Sequence, residues 1–207
     1  KAFFIARSGR PGPVLVDITK DAQFGMMDFN YEPCKDIRSY FPNPVMNPSH
    51  VEAAAKLLNT SKKPYLLVGQ GIILSNAEQE LLAFAEKSGI PVASTLLGLG
   101  AFPPNHPLYV GYLGMHGNYA PNILTNEADV IIAVGMRFDD RVTGDVSRYA
   151  KQAKIIHIDV DAAELNKIVT NEVSIHADAK EALALLTTLV ENRTHEAWVN
   201  EFRAAEK

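Results

Sequence analysis

Two arginines and two aspartates crowd a short run that directly follows an apolar segment. The segment is Val130–Val134, and the charged residues are Arg137, Asp139, Asp140 and Arg141. A guanidinium group matches a phosphate with paired donors, and neighbouring carboxylates can hold it in place. The alternative is a surface cluster whose charges neutralise each other and contribute little to stability. The candidate site also takes in Gly135, Met136 and Val142.

Two glycines follow another apolar segment, Pro64–Val68. The order Gly69-Gln70-Gly71 places them where a strand would turn into a helix. Glycine at such a turn lets the backbone approach a pyrophosphate and point amide groups at it. The third glycine of the full dinucleotide motif is replaced by Leu74, so the motif alone is weak evidence for nucleotide binding. The alternative is a tight turn that uses the conformational freedom of glycine.

Two further loops carry candidate ligand contacts. Thr95 and Leu96 open a glycine-containing loop, and Leu113-Gly114-Met115-His116 places a histidine in a second loop between glycines. A methionine thioether can pack against an aromatic plane. The alternatives are a plain connecting loop and a histidine that is only solvated or bonded to backbone.

Acidic residues follow two more predicted strands. Asp159-Val160 stands where dinucleotide folds place a carboxylate on a ribose hydroxyl, whereas Asp161 is more simply a helix N-cap. Asp178-Ala179 can serve as a helix cap and as a ligand contact at once. The Asp178 side chain can cap a helix while the backbone near Ala179 frames an adenine. Asp159 is the better ligand candidate.

The elements that must position these residues alternate between short β-branched runs and amphipathic helical stretches. Four polar residues have Glu three positions on, which predicts capping boxes at Ser49, Ser75, Asp161 and Asp178. Gly89 is predicted to end a helix. The predicted strands are Pro13–Ile18, Pro64–Val68, Pro91–Ser94, Asp129–Val134, Lys154–Val160 and Glu172–Ile175.

This alternation predicts an α/β fold, a doubly wound (Rossmann-like, DHS-like) six-stranded parallel sheet in a three-layer α/β/α arrangement. Ligands of such sheets collect at the carboxyl ends of the strands, where every candidate loop above begins. Phe24 to Pro48 is rich in proline and predicts an extended linker. The isolated strand before it is either an edge strand of the main sheet or the end of a preceding domain.

Composition narrows the possible partners. The 207 residues are 47% hydrophobic and 21% charged, with a net charge of −4, which argues against nucleic acid and anionic membrane as main partners. The single cysteine, Cys34, excludes an intrachain disulfide and favours a reducing, cytoplasmic location. Six scattered histidines lack metal-ligand spacing, so no metal site is expected.

Three stretches together resemble the large catalytic subunit of acetolactate synthases (acetohydroxyacid synthases), a family of thiamine-diphosphate enzymes. They are 8–17, 113–117 and 137–144, beginning Ser8-Gly9-Arg10, Leu113-Gly114-Met115 and Arg137-Phe138-Asp139. The first is similar to a segment shared by many thiamine-diphosphate enzymes, and the last is more selective for acetolactate synthases that use FAD. The resemblance implies a remnant of the pyrimidine-binding domain in 1–23, a linker in 24–47, a central FAD-binding domain in 48–192 and the start of a further linker in 193–207.

The same resemblance assigns roles within an FAD site. It implies that Thr95 and Leu96 contact the ribityl side of the flavin and that Met115 and His116 lie beside the isoalloxazine ring. It favours the phosphate-binding interpretation of 137–144, with one arginine on the FAD phosphates. It also implies that Arg10 reaches across to the cofactor from outside the central domain.

For the longer parent enzyme, the resemblance implies a transferase of branched-chain amino-acid biosynthesis. That enzyme condenses pyruvate with a second 2-keto acid (pyruvate or 2-ketobutyrate) with loss of CO2, using thiamine diphosphate and Mg²⁺ held by domains outside this chain, so the fragment itself is expected to be inactive. A homodimer or tetramer and a small regulatory subunit are expected. The alternatives are another thiamine-diphosphate enzyme, of the glyoxylate carboligase or pyruvate oxidase type, and a non-catalytic nucleotide-binding module.

Overall fold

The computed structural model of the protein describes residues 1–206 and divides into two compact units. The first unit is 1–44, and the second begins at Val45. Residue 207, with which the predicted second linker ends, lies outside the described residues.

The first unit contains two short helices, α1 (Ala2–Arg7) and α2 (Lys20–Phe24). Tyr40 joins the far end of this unit to its beginning: its hydroxyl donates to the Ser8 carbonyl at 2.9 Å, and its ring packs edge-on against Phe4 at 5.9 Å. The strand predicted at Pro13–Ile18 is wrong, because these residues are exposed and do not form a strand. A strand is stable only when a neighbour completes its hydrogen bonds and covers a face.

The second unit alternates strands and helices along the chain. Its elements are α3 (Pro48–Thr60), β1 (Pro64–Val68), α4 (Gln70–Leu74), α5 (Glu78–Ser88), β2 (Val92–Ser94), a 3-10 helix (Leu96–Gly98), β3 (Tyr109–Tyr112), α6 (Tyr119–Leu124), β4 (Val130–Val134), α7 (Asp140–Thr143), β5 (Lys154–Asp159), β6 (Val173–His176), α8 (Ala179–Leu189) and α9 (Glu196–Ala205).

All six strands are parallel and stand in the order β3-β2-β1-β4-β5-β6. Every residue of β1 and β4 is buried, as uninterrupted apolar runs require when both sheet faces are covered. This confirms the predicted doubly wound six-stranded sheet. One of these six strands, β3 (Tyr109–Tyr112), was not predicted from the sequence.

Two apolar clusters cover the two faces of the sheet and complete the three-layer arrangement. One contains residues of α3, α5 and α8, such as Val51, Phe84 and Leu186, and the other contains residues of α6 and α9, such as Leu124 and Phe202. Fully burying one such large side chain stabilises the fold by about 1.5–3 kcal/mol.

The N-cap residue of one of the four predicted capping boxes is confirmed. The Asp178 side chain accepts a hydrogen bond from the Lys180 amide at 2.9 Å and begins α8. Gly89 is also confirmed as a helix end, since its φ of +65° is left-handed and a Cβ there would lie 2.4 Å from the Arg193 carbonyl oxygen.

The other three capping boxes are wrong. The N-cap of α3 is Asn47 rather than Ser49, because Pro48 suits the first helical turn and the Asn47 side chain accepts from the Ser49 amide. Ser75 ends α4 instead of starting α5. The Asp161 side chain accepts from the Ala163 amide, yet the segment that follows forms turns and no helix.

The last helix, α9, packs against the sheet within the segment predicted as the start of a linker. The indole of Trp198 is buried and donates to the Pro64 carbonyl at 2.9 Å. Lys63 lies 4.6 Å above that indole and 2.7 Å from a Glu201 carboxylate oxygen. These contacts fasten α9 to the start of β1.

Candidate functional site

Parallel pairing brings the carboxyl ends of all six strands to one edge of the sheet, here called the carboxyl edge. The chain runs outward from β1 to β3, then returns to the centre and runs outward from β4 to β6. The loops after β1 and β4 therefore diverge, and in open α/β sheets the crevice between two such loops is where ligands bind. The predicted site residues of the second unit lie in loops, strand ends or the first turns of helices at this edge.

Glycine backbones contact each other at the centre of the carboxyl edge. The Gly71 amide donates to the Gly135 carbonyl at 2.9 Å, and a Cβ on Gly69 would lie 2.3 Å from the same oxygen. Gly69 has a φ of −118°, so conformational freedom is not what requires glycine there. Close approach of two loop backbones is the reason, whereas the left-handed φ of +58° falls on Gly135.

The loop after β2 crosses the end of β1 at similarly short distance. Thr95 donates its amide to the Val68 carbonyl at 2.9 Å, and a Cβ on Gly98 would lie 2.4 Å from that oxygen. This packing turns the side chain of Leu96 outward, next to the exposed Leu97. The carboxyl edge therefore presents apolar side chains beside the glycine backbones.

The loop after β3 is joined to the loop after β4. The Met115 amide donates to the Arg141 carbonyl at 2.7 Å, and Gly114, with a φ of +114°, would place a Cβ 3.0 Å from that oxygen. The Met115 side chain is 61% exposed, whereas Leu113 is buried in the core. His116 is exposed, and its carbonyl accepts from the Tyr112 hydroxyl.

A residue that the sequence did not single out holds this loop. The Asn122 side chain accepts from the Gly114 amide and donates to the Gly114 carbonyl, both at 2.9 Å. Its neighbour Asn118, one helical turn earlier, accepts from the Tyr112 amide at 3.1 Å. The sequence does show two asparagines four residues apart after a glycine-rich loop, and this pattern could have indicated residues that hold the loop.

Both arginines of the charged run point outward. The Arg137 guanidinium lies 3.5 Å from an Asp139 carboxylate oxygen, and that of Arg141 lies 3.6 Å from Asp140. Exposed pairs at such distances contribute little to stability, so the guanidinium groups stay available to a ligand. Asp139 also begins α7, because its carboxylate accepts from the Arg141 amide at 3.2 Å. Val142 follows within α7 and is half-buried.

The ends of β5 and β6 are fixed by their own polar groups. One carboxylate oxygen of the buried Asp159 accepts from the Asp161 amide at 2.8 Å. The imidazole of His176 lies 3.0 Å from the Val160 carbonyl. Ala179 is buried at the start of α8, so a ligand at this end would meet its backbone.

A buried histidine, His157 on β5, also lies beneath this edge and was not predicted. Its Nε2 lies 2.9 Å from the Met136 carbonyl oxygen, and its Nδ1 has no hydrogen-bond partner among residues 1–206. Burial lowers the pKa of His157, opposed by the bond to Met136 and by Asp159, one of whose oxygens lies 4.0 Å away. The side chains of Met136 and Leu113 are buried too, which leaves their backbone atoms to face a ligand.

Arg10 belongs to the first unit, where it is exposed. Its predicted contact with a cofactor stays a prediction. Across residues 1–206, no three His, Cys, Asp or Glu side chains converge as a metal ion would require. Within the same range, each helix lacks the length and apolar character needed to cross a membrane.

Comparison with known proteins gives consistent matches over most of the chain. The family model described as thiamine pyrophosphate enzyme, central domain, matches residues 51–186. The acetolactate synthase large subunit of Corynebacterium glutamicum is 50% identical over 90% of this chain and 30% of its own length. The chloroplastic acetolactate synthase of Arabidopsis thaliana is 45% identical over 97% of this chain and 31% of its own length.

An archaeal relative and a solved structure agree with these matches. The probable acetolactate synthase large subunit of Methanocaldococcus jannaschii is 47% identical, over 96% of this chain and 34% of its own length. A structure from Mycobacterium smegmatis, described as a candidate thiamin diphosphate-dependent enzyme, has a TM-score of 0.68 at 25% identity and covers 91% of this chain and 36% of its own. The chain thus spans about a third of the length of the relatives it matches.

Proposed function

The chain belongs to the thiamine pyrophosphate enzymes, as a central domain of the acetolactate synthase type, and we propose that its carboxyl edge binds FAD. Acetolactate synthase relatives match nearly the whole chain, and the resemblance in 137–144 favours members of the family that use FAD. The proposal concerns the second unit, to which the matched residues 51–186 belong.

The chemistry of the carboxyl edge fits the parts of a flavin nucleotide. Arg137 and Arg141 offer exposed guanidinium groups that suit a pyrophosphate. Leu96 and Met115 offer exposed apolar surface of the kind that packs on a flat ring. Asp159 stands at the end of β5, the position from which dinucleotide folds bind a ribose hydroxyl.

The hydrogen bond between the Met115 amide and the Arg141 carbonyl carries the proposal. It joins the loop that would meet the flavin ring to the loop that would meet the phosphates, although the two are far apart in the sequence. A self-neutralising surface cluster would not require this connection. Both loops can therefore serve one extended ligand.

For the longer protein we propose the activity of acetolactate synthase. In that reaction a two-carbon unit from pyruvate is joined to a second 2-keto acid, either pyruvate or 2-ketobutyrate, and CO2 is released. Thiamine diphosphate, when bound with Mg²⁺, supplies the carbanion chemistry of this reaction. Since the net reaction transfers no electrons, FAD in this domain is proposed to be chiefly structural.

The residues of this chain would then bind and orient rather than react. Arg137 and Arg141 bind the negatively charged phosphates of the ligand, and the buried strand ends keep the loops in place. The chain on its own is proposed to be catalytically inactive. The longer protein is proposed to assemble as a homodimer or tetramer and to associate with a small regulatory subunit.

Titration of the purified chain with FAD tests the proposal. Bound flavin is followed by its absorbance at about 450 nm after removal of free cofactor. We expect saturable binding that weakens in Arg137→Ala and Arg141→Ala, with exposed Arg148→Ala as a matched control that leaves affinity unchanged. A chain that takes up no FAD would contradict the proposal, and one that binds ADP and FAD equally would support a general nucleotide-binding module instead.

A further inference from the structure

One buried side chain contacts both neighbours of Arg137. The Nε2 atom of His157 lies 2.9 Å from the carbonyl oxygen of Met136. The ring of His157 also packs edge-on against the ring of Phe138, with centroids 5.1 Å apart and an interplanar angle of 76°. Residues 136 and 138 are therefore both held by the same imidazole.

These contacts decide which way the intervening side chain points. The residues Met136 and Phe138 are each only 4% exposed, whereas the Arg137 side chain is 49% exposed. Met136 and Phe138 belong to the same buried cluster on one face of the sheet, and Arg137 between them does not. Holding the two flanking residues against the sheet therefore directs the guanidinium outward, beside Asp139.

The hydrogen bond fixes the protonation of the ring. A carbonyl oxygen can only accept, so Nε2 of His157 carries the hydrogen and donates a hydrogen bond to the Met136 carbonyl. The ring is 1% exposed, and Nδ1 lacks a hydrogen-bond partner among the described residues. Because burial lowers the pKa of His157, the ring is neutral at neutral pH.

A packing role alone does not explain a histidine at this position. Burying a nitrogen without a hydrogen-bond partner is unfavourable, and Leu or Ile would fill a β-strand position without that cost. The neighbouring inward positions of β5 and β4 are apolar, as Ile155 and Ala133 show. What the imidazole adds is one directed donor to Met136.

We propose that His157 is a positioning residue for Arg137, acting through Met136 and Phe138 to hold the guanidinium where a phosphate ligand binds. The inference rests on the proposed FAD function for the identity of the ligand. Its geometric part, the ordering of 136–138 by His157, does not depend on which ligand binds.

Two substitutions separate the donor from the volume of the ring. His157→Gln places an amide nitrogen near the position of Nε2 and keeps the donor, whereas His157→Leu fills space without one. The matched control is His176→Leu, which removes a histidine whose Nε2 lies 3.0 Å from a different carbonyl, that of Val160. Each is made alone and together with Arg137→Ala.

FAD affinity measured across these variants tests the positioning role. We expect His157→Leu to weaken FAD binding about tenfold, the scale of a lost buried hydrogen bond, and His157→Gln to restore most of it. In the Arg137→Ala background, His157→Leu should have almost no further effect, while His176→Leu should show no such dependence on Arg137. Equal losses with and without Arg137, or no rescue by Gln, would overturn the proposal.

Hydrogen exchange separates a failure of this inference from a failure of the proposed function. In the absence of any ligand, the amides of 136–142 should exchange faster in His157→Leu than in the parent chain, with His157→Gln close to the parent. If the parent chain binds no FAD but this exchange pattern holds, the FAD proposal fails and the ordering role of His157 stands. Unchanged exchange in His157→Leu would refute the ordering role whether or not FAD binds.

Discussion

The backbone amide of Met115 donates a hydrogen bond of 2.7 Å to the backbone carbonyl of Arg141. It connects the loops after β3 and β4, which lie on either side of β2 and β1 in the sheet. Because both partners are backbone groups, substituting either side chain leaves the bond in place. The connection is best tested at the glycine that allows the two loops to approach.

Replacement of Gly114 by alanine should separate the two loops. The new Cβ would lie 3.0 Å from the Arg141 carbonyl oxygen. The φ of +114° at this position is one that residues other than glycine rarely adopt. We expect a loss of about 1–3 kcal/mol in the free energy of unfolding and a weaker affinity for FAD. Gly100→Ala is the control, since its φ is +95° and no atom lies within 4 Å of the added Cβ. Equal effects on FAD affinity in the two variants would rule out a role for the Arg141 contact.

Replacement of Gly69 by alanine should destabilise the whole second unit. A Cβ there would lie 2.3 Å from the Gly135 carbonyl oxygen and 2.6 Å from the Met136 Cβ, so the loops after β1 and β4 must move apart. We expect a loss of about 3 kcal/mol, measured by urea denaturation. Gly12→Ala is the control, because its added Cβ has no atom within 4 Å and its φ is not positive, so stability should change by less than about 1 kcal/mol. A Gly69→Ala variant as stable as Gly12→Ala would contradict the close contact.

Two buried histidines should make the protein less stable in mild acid. Burial lowers the pKa of His157 and, together with Arg193, that of His195. The folded state therefore binds fewer protons than the unfolded chain, so this stability is present above pH 6.5, the ordinary histidine pKa, and is lost as pH falls below it.

Denaturant unfolding from neutral pH down to about pH 5 measures this loss. The double variant His157→Gln, His195→Gln should show a shallower decline than the parent chain over the same range. An identical pH dependence in parent and double variant would mean that other groups cause the acid sensitivity.

The buried indole of Trp198 should be the main attachment of α9. Its N–H donates to the Pro64 carbonyl of β1, and its ring packs against Phe202 of the same helix, with ring centroids 4.7 Å apart. We expect Trp198→Ala to lose about 3–5 kcal/mol, followed by circular dichroism because the chain has a single tryptophan. Trp198→Phe keeps most of the ring and removes the donor, so it should lose about 1–3 kcal/mol. A stable Trp198→Ala variant would indicate that α9 does not need this attachment.

Sequence patterns identified elements wherever the cause is local or repeats along the chain. The uninterrupted apolar runs at β1 and β4 were predicted correctly because burial on both faces demands apolar residues at every position. Asp178 was predicted correctly as a cap because its partner is two residues away. The same local pattern failed at Ser75 and Asp161, where turns accommodate the same residues.

The edge strand β3 shows where pattern alone is insufficient. Its four residues are all half-buried, and Gly111 has a φ of +110° beside an irregularity in the pairing of Val92 and Ala93 with β3. A short strand with a glycine and no alternation differs little from a loop until a neighbouring strand is in place. Pro13–Ile18 gave the opposite error, a good strand composition that forms no strand.

The sequence by itself determined the fold class, the family resemblance and the loops that would carry a site, because these follow from residue types and their order. Only the tertiary structure placed Met115 against Arg141 and His157 against both neighbours of Arg137. The second relationship depends on register, since Ala133 of β4 pairs with His157 and so brings the imidazole beneath the loop that follows. Register is set by the packing of the whole sheet, and no local pattern encodes it.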